Sequence, residues 1–248
     1  MLTIIEKLQL YRSKIDLGKR YTYKFDFNTN LFTPEEQAVV NDAENNFIRN
    51  VKLKDLIKQK ANGSYEETDL NFWIINEWGG IKTFKKNEEN IKKIKRYSDQ
   101  LSERKLKKDN FNTISSLSKN SSFIDPDNYV IYDARVIYAL NWLILTTTND
   151  LKFFPMPSSR NKKLTDFDLS TIINLIHVDK YNQNVNLYYD YRTAYFKFCD
   201  LIKSLSVAIF EDPTIKPYNL EMLLFVTADK EVSEEIIRLT RIEILNEQ

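Results

Sequence analysis

The chain has one cysteine, Cys199, and one histidine, His177, among its 248 residues. No intramolecular disulfide can form and no Cys/His zinc cage can be assembled. Cys-His and Ser-His-Asp catalysis are excluded unless His177 carries them. Glycine and proline are also scarce, at four and six, too few for a sandwich or barrel that turns roughly every 8–12 residues. The longest apolar run, Val136 to Leu145, contains Asn141 and is about half the ~20 residues that a spanning helix needs. At the N-terminus, Glu6 and Lys7 interrupt the apolar residues almost at once, so no secretory segment is read there. These absences lead to the expectation of a soluble, cytoplasmic protein with no membrane partner, no metal site and no cofactor.

What is present suffices for a packed core: 42% of the residues are hydrophobic and 13% aromatic, well above a disordered chain. The sequence predicts a mostly α fold, a single two-lobed helical domain over 1–248 with lobes at about 1–110 and 111–248. Polar or proline-bearing breaks, such as Asn28 to Glu36 and Thr146 to Lys163, separate segments of helical length. Thr33-Pro34-Glu35-Glu36 is a helix start, with a capping threonine, proline at the first position and acids at the positive end of the dipole. That helical region should reach about Leu56. Asp69 can cap a helix containing Phe72, Trp73 and Ile75, ending at Gly79-Gly80, a pair read as a C-cap and turn with no phosphate-loop pattern.

Net charge is only +1, but its distribution is uneven. From Lys82 to Lys108, eleven basic residues face four acidic ones, a local balance of +7. Ile91, Ile94, Tyr97 and Leu101 fall on one helical face and Lys92, Lys93, Lys95 and Arg96 on the other. Such a basic amphipathic helix reads either as a solvated surface or as a phosphate-contacting one. In the second reading Lys92, Lys93, Arg96, Lys105, Lys107 and Lys108 are the DNA contacts.

The most informative stretch runs from Ile114 to Val136. It has a serine-rich approach with Ser118-Lys119, an Asp125-Pro126 turn, a short extended run, and Asp133 at the head of a nearly all-apolar segment, Val136 to Leu145. Asp133 is placed to N-cap that helix, which is apolar almost all round and should run through the core.

This pattern resembles the signature of the helix-hairpin-helix DNA glycosylase superfamily, in particular the bacterial proteins with an 8-oxoguanine DNA glycosylase fold. In those proteins a Ser-Lys pair precedes an aromatic-Asp/Asn-Pro turn and an IYD-x-RV element, which here reads Ser118-Lys119, Ile124-Asp125-Pro126 and Ile131-Tyr132-Asp133-Ala134-Arg135-Val136. The resemblance implies a glycosylase-like helical bundle around a buried helix after Asp133. It matches Asp133 to the aspartate that stabilises the sugar cation, Lys119 to the lysine that attacks the sugar in bifunctional members, and Ser118 to a neighbouring DNA contact. A carboxylate kept ionised by a helix N-terminus suits that transition state. The Gly-x-Gly hairpin of the superfamily has no counterpart, since Asp109 to Val136 contains no glycine.

Asp133 read without the resemblance is an ordinary cap, and Arg135 an ion-pair partner. His177 reads as a packed or surface residue. Tyr188, Tyr189, Tyr191, Tyr195, Phe196 and Phe198 can be core or can stack on bases. The loop Phe153 to Arg160 is apolar enough to line a pocket, and Tyr218 to Val226 should close the core as a helix. The leading expectation is a DNA-binding protein that excises a modified base from a flipped nucleotide. The alternative is a catalytically silent helical adaptor for DNA or protein.

Overall fold

A computed structural model describes residues 2–27, 30–147, 150–158, 161–183 and 185–241. Helices dominate. The N-terminal part carries α1 (Ile4–Lys14), α2 (Leu17–Arg20), α3 (Pro34–Asn41), α4 (Asn46–Ala61) and α5 (Thr68–Trp73), the last continued by a π-helical turn, Ile74–Trp78. Then follow α6 (Glu88–Ser102), α7 (Lys108–Phe111), α8 (Ile114–Ile124) and α9 (Ala134–Thr146). Next come α10 (Lys162–Asp166), α11 (Leu169–Ile176), α12 (Val178–Asn182), α13 (Tyr191–Phe210), α14 (Tyr218–Thr227) and α15 (Ser233–Leu239), with a second π turn, Ala228–Val232, before α15. An isolated parallel β-bridge joins Phe153 and Tyr188.

Local chemistry accounts for most boundaries. Thr3 and Thr33 each form a reciprocal capping box with the glutamate three residues on, satisfying two otherwise orphaned donors. The expected single helical run from Thr33 to about Leu56 is two helices. It breaks at Asp42, and Asn45 restarts it by accepting a hydrogen bond from Ile48 N at 3.0 Å. A short polar side chain that bonds its own backbone favours a new start over continuation. Asp69 is not the cap of α5: the helix already begins at Thr68, and Asp69 sits in its first turn, paired with Lys86. At the other end Gly79 caps the π turn through its N–H to Ile74 O at 2.9 Å, and Gly80 takes the left-handed conformation, φ +65°, which glycine adopts without steric cost.

The largest apolar cluster is centred on α9, whose residues from Val136 to Ile144 are all buried. This helix packs against α14, α11 and α1. Asn141 is the exception that explains itself. Its Nδ2 donates to Phe154 O at 2.8 Å and its Oδ1 accepts from Phe154 N at 2.9 Å, so the polar residue inside the apolar helix ties down the 150–158 loop. Ser159 and Arg160, the end of that loop as read from sequence, lie outside the described residues.

A second, aromatic cluster joins Phe25, Phe27, Phe32, Trp73 and Trp78 to Phe123 of α8. Both clusters draw residues from either side of residue 110. No helix among the described residues is long and apolar enough to cross a membrane.

Leu140 is fully buried in the α9 cluster, whereas Leu10 of α1 is 42% exposed. Leu140→Ala is expected to lower unfolding free energy by about 2–5 kcal/mol through lost transfer energy and a cavity, and Leu10→Ala to stay within about 0.5 kcal/mol. Urea midpoints of the two variants check this; equal shifts would contradict the assignment of the core.

Candidate functional site

The site begins with a backbone problem. Residues 129–133 link α8 to α9 outside any helix or strand, so their buried polar groups need other partners. Side chains supply them. Ser118 Oγ accepts from Tyr132 N at 3.0 Å, and Ser115 Oγ donates to Tyr132 O at 3.2 Å. These serines are three residues apart and so share a face of α8. Tyr195 OH donates to Val130 O at 3.1 Å, and Glu221 Oε2 lies 3.4 Å from Ile131 N. Ser121 Oγ in turn bonds the hydroxyls of Tyr195 and Tyr97 at 2.7 and 2.8 Å. The serine-rich character of α8 is therefore the means of holding a segment that has no ladder of its own.

That segment delivers Asp133 to the N-cap of α9, where its Oδ1 accepts from Arg135 N at 2.8 Å. The cap foreseen from sequence is present. Arg135 turns away to pair with Asp229 at 3.2 Å, and its guanidinium lies 4.6 Å from the Phe225 ring centre.

Asp133 and Lys119 line one cavity of about 310 Å³. Its aromatic walls are Tyr21, Tyr23, Trp78 and Phe225, and Glu221 of α14 supplies a second carboxylate. The Tyr23 hydroxyl donates to Trp78 O, and the two ring centres are 5.2 Å apart. Lys119 donates from Nζ to Ser115 O at 2.5 Å along its own helix. Burial lowers its ammonium from the usual lysine range, against the opposing pull of Asp133 and Glu221. Its stem passes over Gly79: a Cβ there would stand 2.7 Å from Lys119 Cδ and 2.9 Å from Cε. Gly79 has ordinary helical dihedrals, so glycine is needed at that position for space.

Glu221 was not singled out from sequence. It is buried in α14, and burial pushes its carboxyl up to about 7, a rise moderated chiefly by Lys54. Lys54 is itself fully buried in α4 and lowered by that burial to about 8. The available signal was a single acid inside the apolar run Tyr218 to Val226, and a lysine on the core stripe of α4 with Leu53, Ile57 and Ala61.

The remaining sequence-derived residues lie elsewhere. Ser118 is fully buried and engaged with Tyr132 N, so it braces the backbone and is out of reach of DNA, contrary to the expectation. None of Lys92, Lys93, Arg96, Lys105, Lys107 and Lys108 lines the cavity. They lie on α6, on α7 and between the two, exposed apart from half-buried Lys93. Lys92 pairs with Glu88 at 3.6 Å, Arg96 with Asp109 at 3.4 Å, and Lys108 Nζ lies 4.7 Å from the Tyr191 ring centre. Ile91, expected on the covered face of α6, is 38% exposed. Tyr195, Phe196 and Phe198 are core; Tyr188, Tyr189 and Tyr191 are partly buried against it. His177 Nδ1 lies 3.0 Å from Ile173 O, with its ring edge-on to Phe153. No group of metal-ligating side chains occurs among the described residues.

The Glu221 shift has a signed consequence. With a folded value of about 7 against 4.5 for an ordinary glutamate, the folded state holds one more proton than the unfolded state between those values, so stability falls as pH rises through that window. Glu221→Gln should flatten this decline. Urea unfolding at intervals from pH 4.5 to 7.5 tests it, and an unchanged slope in the variant would assign the decline to other groups.

No family model matches this chain, and no curated protein or solved structure matches it either.

Proposed function

We propose that the cavity receives a flipped-out nucleotide and that the protein is a DNA glycosylase-like enzyme built on a helix-hairpin-helix type of bundle. The observation that carries this reading is the convergence of Lys119 and Asp133, on different elements, at one cavity walled by four aromatic rings. Aromatic faces stack on any base, and a base must leave the duplex stack for its sugar bond to be reached.

In this reading the Asp133 carboxylate faces the sugar as positive charge develops at C1′, held in place by its bond to the α9 backbone. A preorganised charge in a water-poor site stabilises such a transition state without reorganising. Lys119, with its proton affinity reduced by burial, is the amine nucleophile. The lone pair of its neutral amine forms a bond to C1′ while the electron pair of the C1′–N bond leaves with the base, which takes up the proton released by the attacking nitrogen. The C1′–O4′ bond then opens, O4′ takes a proton from water, and the resulting imine is the species that borohydride reduces. The exposed lysines of α6 and of the α6–α7 connection hold the phosphate backbone, which gives affinity without sequence reading.

Asp133→Asn keeps a side chain that accepts the cap hydrogen bond, so folding stability should change by no more than about 1 kcal/mol. The lost charge should slow base release by about two to three orders of magnitude. Lys119→Gln should abolish borohydride trapping of a covalent DNA adduct. The assay uses duplexes carrying oxidised, alkylated or deaminated bases, with alkali to reveal abasic sites. If the wild type releases no base from that panel, or Asp133→Asn is stable and fully active, the chain is a silent binding protein and Asp133 only a cap. Charge reversal at Lys92, Lys93 and Arg96 should weaken binding alike for all sequences and reduce its salt dependence; binding indifferent to salt would exclude a phosphate-contacting role for α6.

A further inference from the structure

One buried cation has a position that the proposed chemistry does not itself explain. Lys54 is fully buried and has no carboxylate within ion-pair distance among the described residues. Its Nζ donates to Ser122 O and Ser122 Oγ, both at 3.1 Å. It lies 4.2 Å from the Phe123 ring centre and 5.6 Å from that of Tyr218. Ser122 is in the last turn of α8, where carbonyls lack a helical partner and the helix dipole favours a positive charge.

The two elements that this ammonium touches each carry one ionisable side chain of the cavity, Lys119 on α8 and Glu221 on α14. Ser122 is one turn beyond Lys119 on α8, and its hydroxyl bonds Lys119 O at 2.9 Å. Tyr218 is one turn before Glu221 on α14, and residues so spaced share a helix face. Phe123, under the ammonium, packs its ring 4.6 Å from that of Trp78 in the cavity wall. Lys54 therefore stands between the Lys119 helix and the Glu221 helix. In a low-dielectric interior charges interact well beyond contact distance, and Glu221 is the carboxylate that acts most strongly on Lys54.

We propose that Lys54 is a positioning residue for the cavity: a buried ammonium that favours the carboxylate form of Glu221 in the cavity wall and fixes the end of the helix that presents Lys119. The groups acting on Glu221 are Lys54 from α4, Lys119 from α8, Asp133 at the head of α9 and the Ile131 N–H, with the Tyr21 hydroxyl also within its field. Lys54 is the largest of the charges favouring the carboxylate. The protein thereby brings the titration of this wall group down to about neutral pH, where burial alone would leave a protonated acid. The role of Glu221 toward a bound base rests on the excision reading; the coupling of Lys54 to Glu221 does not.

The test is a carbon-13 NMR titration of the Glu221 carboxyl in protein labelled at glutamate Cδ, with the signal assigned by its loss in Glu221→Gln. In Lys54→Met the proton affinity of Glu221 should rise about tenfold, one pH unit in midpoint, while Lys52→Met on the same helix leaves it unchanged. A folded Lys54→Met with the wild-type midpoint overturns the proposal. Should Lys54→Met fail to fold, the reciprocal titration decides: the Lys54 Cε signal in Glu221→Gln should move to a lower midpoint, because an attracting carboxylate has been removed, and an unmoved midpoint overturns the proposal equally. Both readouts are independent of base release. Coupled midpoints in a protein that excises nothing uphold the pair while removing the excision reading. In an active protein, the pH profile of base release should shift by the same unit in Lys54→Met.

Discussion

A buried segment outside any helix or strand must satisfy its backbone through side chains, and the 129–133 run meets this requirement at Val130, Ile131 and Tyr132. Each buried polar group left without a partner would cost about 1–3 kcal/mol, so the partners are under strong constraint. Two come from serines on one face of α8, one from a tyrosine of α13 and one from a glutamate of α14. Three helices distant in sequence are thereby placed around the same few residues. The N-cap of α9 follows directly on the run, so the position of Asp133 is set by the same bonds.

The second consequence of this arrangement is electrostatic. Supporting the 129–133 run brings Glu221 inward, and α8, needed for its serines, also carries Lys119 to the cavity. Two buried carboxyl-bearing and amine-bearing elements then face one another across an aromatic enclosure. The clearance over Gly79 lets the Lys119 stem lie flat against the end of the π turn. A glycine read only as a helix terminator thus has a steric duty, and its neighbour Gly80 has the conformational one.

Much of this was legible in the sequence where one local rule decided the outcome. Thr33-Pro34-Glu35-Glu36 forms a capped helix start, Gly79-Gly80 ends a helical segment, and Asp133 caps an apolar helix that proves buried along nearly its whole length. Asn141 looked like an interruption of that helix, because the paired backbone groups of Phe154 that satisfy it belong to a different segment. Ser118 was misread for a related reason: a serine beside a lysine in a polar stretch looks available, but its hydroxyl is taken by Tyr132 N. Glu221 and Lys54 were hidden because periodicity assigns a face and says nothing of what opposite charge another helix brings to it. The basic face of α6 was visible as a stripe, while its ion pairs with Glu88 and Asp109 became apparent only in three dimensions.

Capping and catalysis need not compete for Asp133. The cap uses Oδ1, through one hydrogen bond from Arg135 N, whereas an ionised carboxylate offers roughly four acceptor positions over its two oxygens. The bond fixes the rotamer of a group that would otherwise sample several, and it leaves the other acceptor positions of the carboxyl outside the cap. Both effects serve any role that requires a carboxylate at a fixed point in the cavity. Arg135, the nearest cation in sequence, could have neutralised that charge, but it is drawn off to Asp229 and stacked on Phe225. The same helix start therefore leaves the aspartate anchored by its backbone and spared a direct guanidinium partner, the condition under which a cap can also act on a ligand.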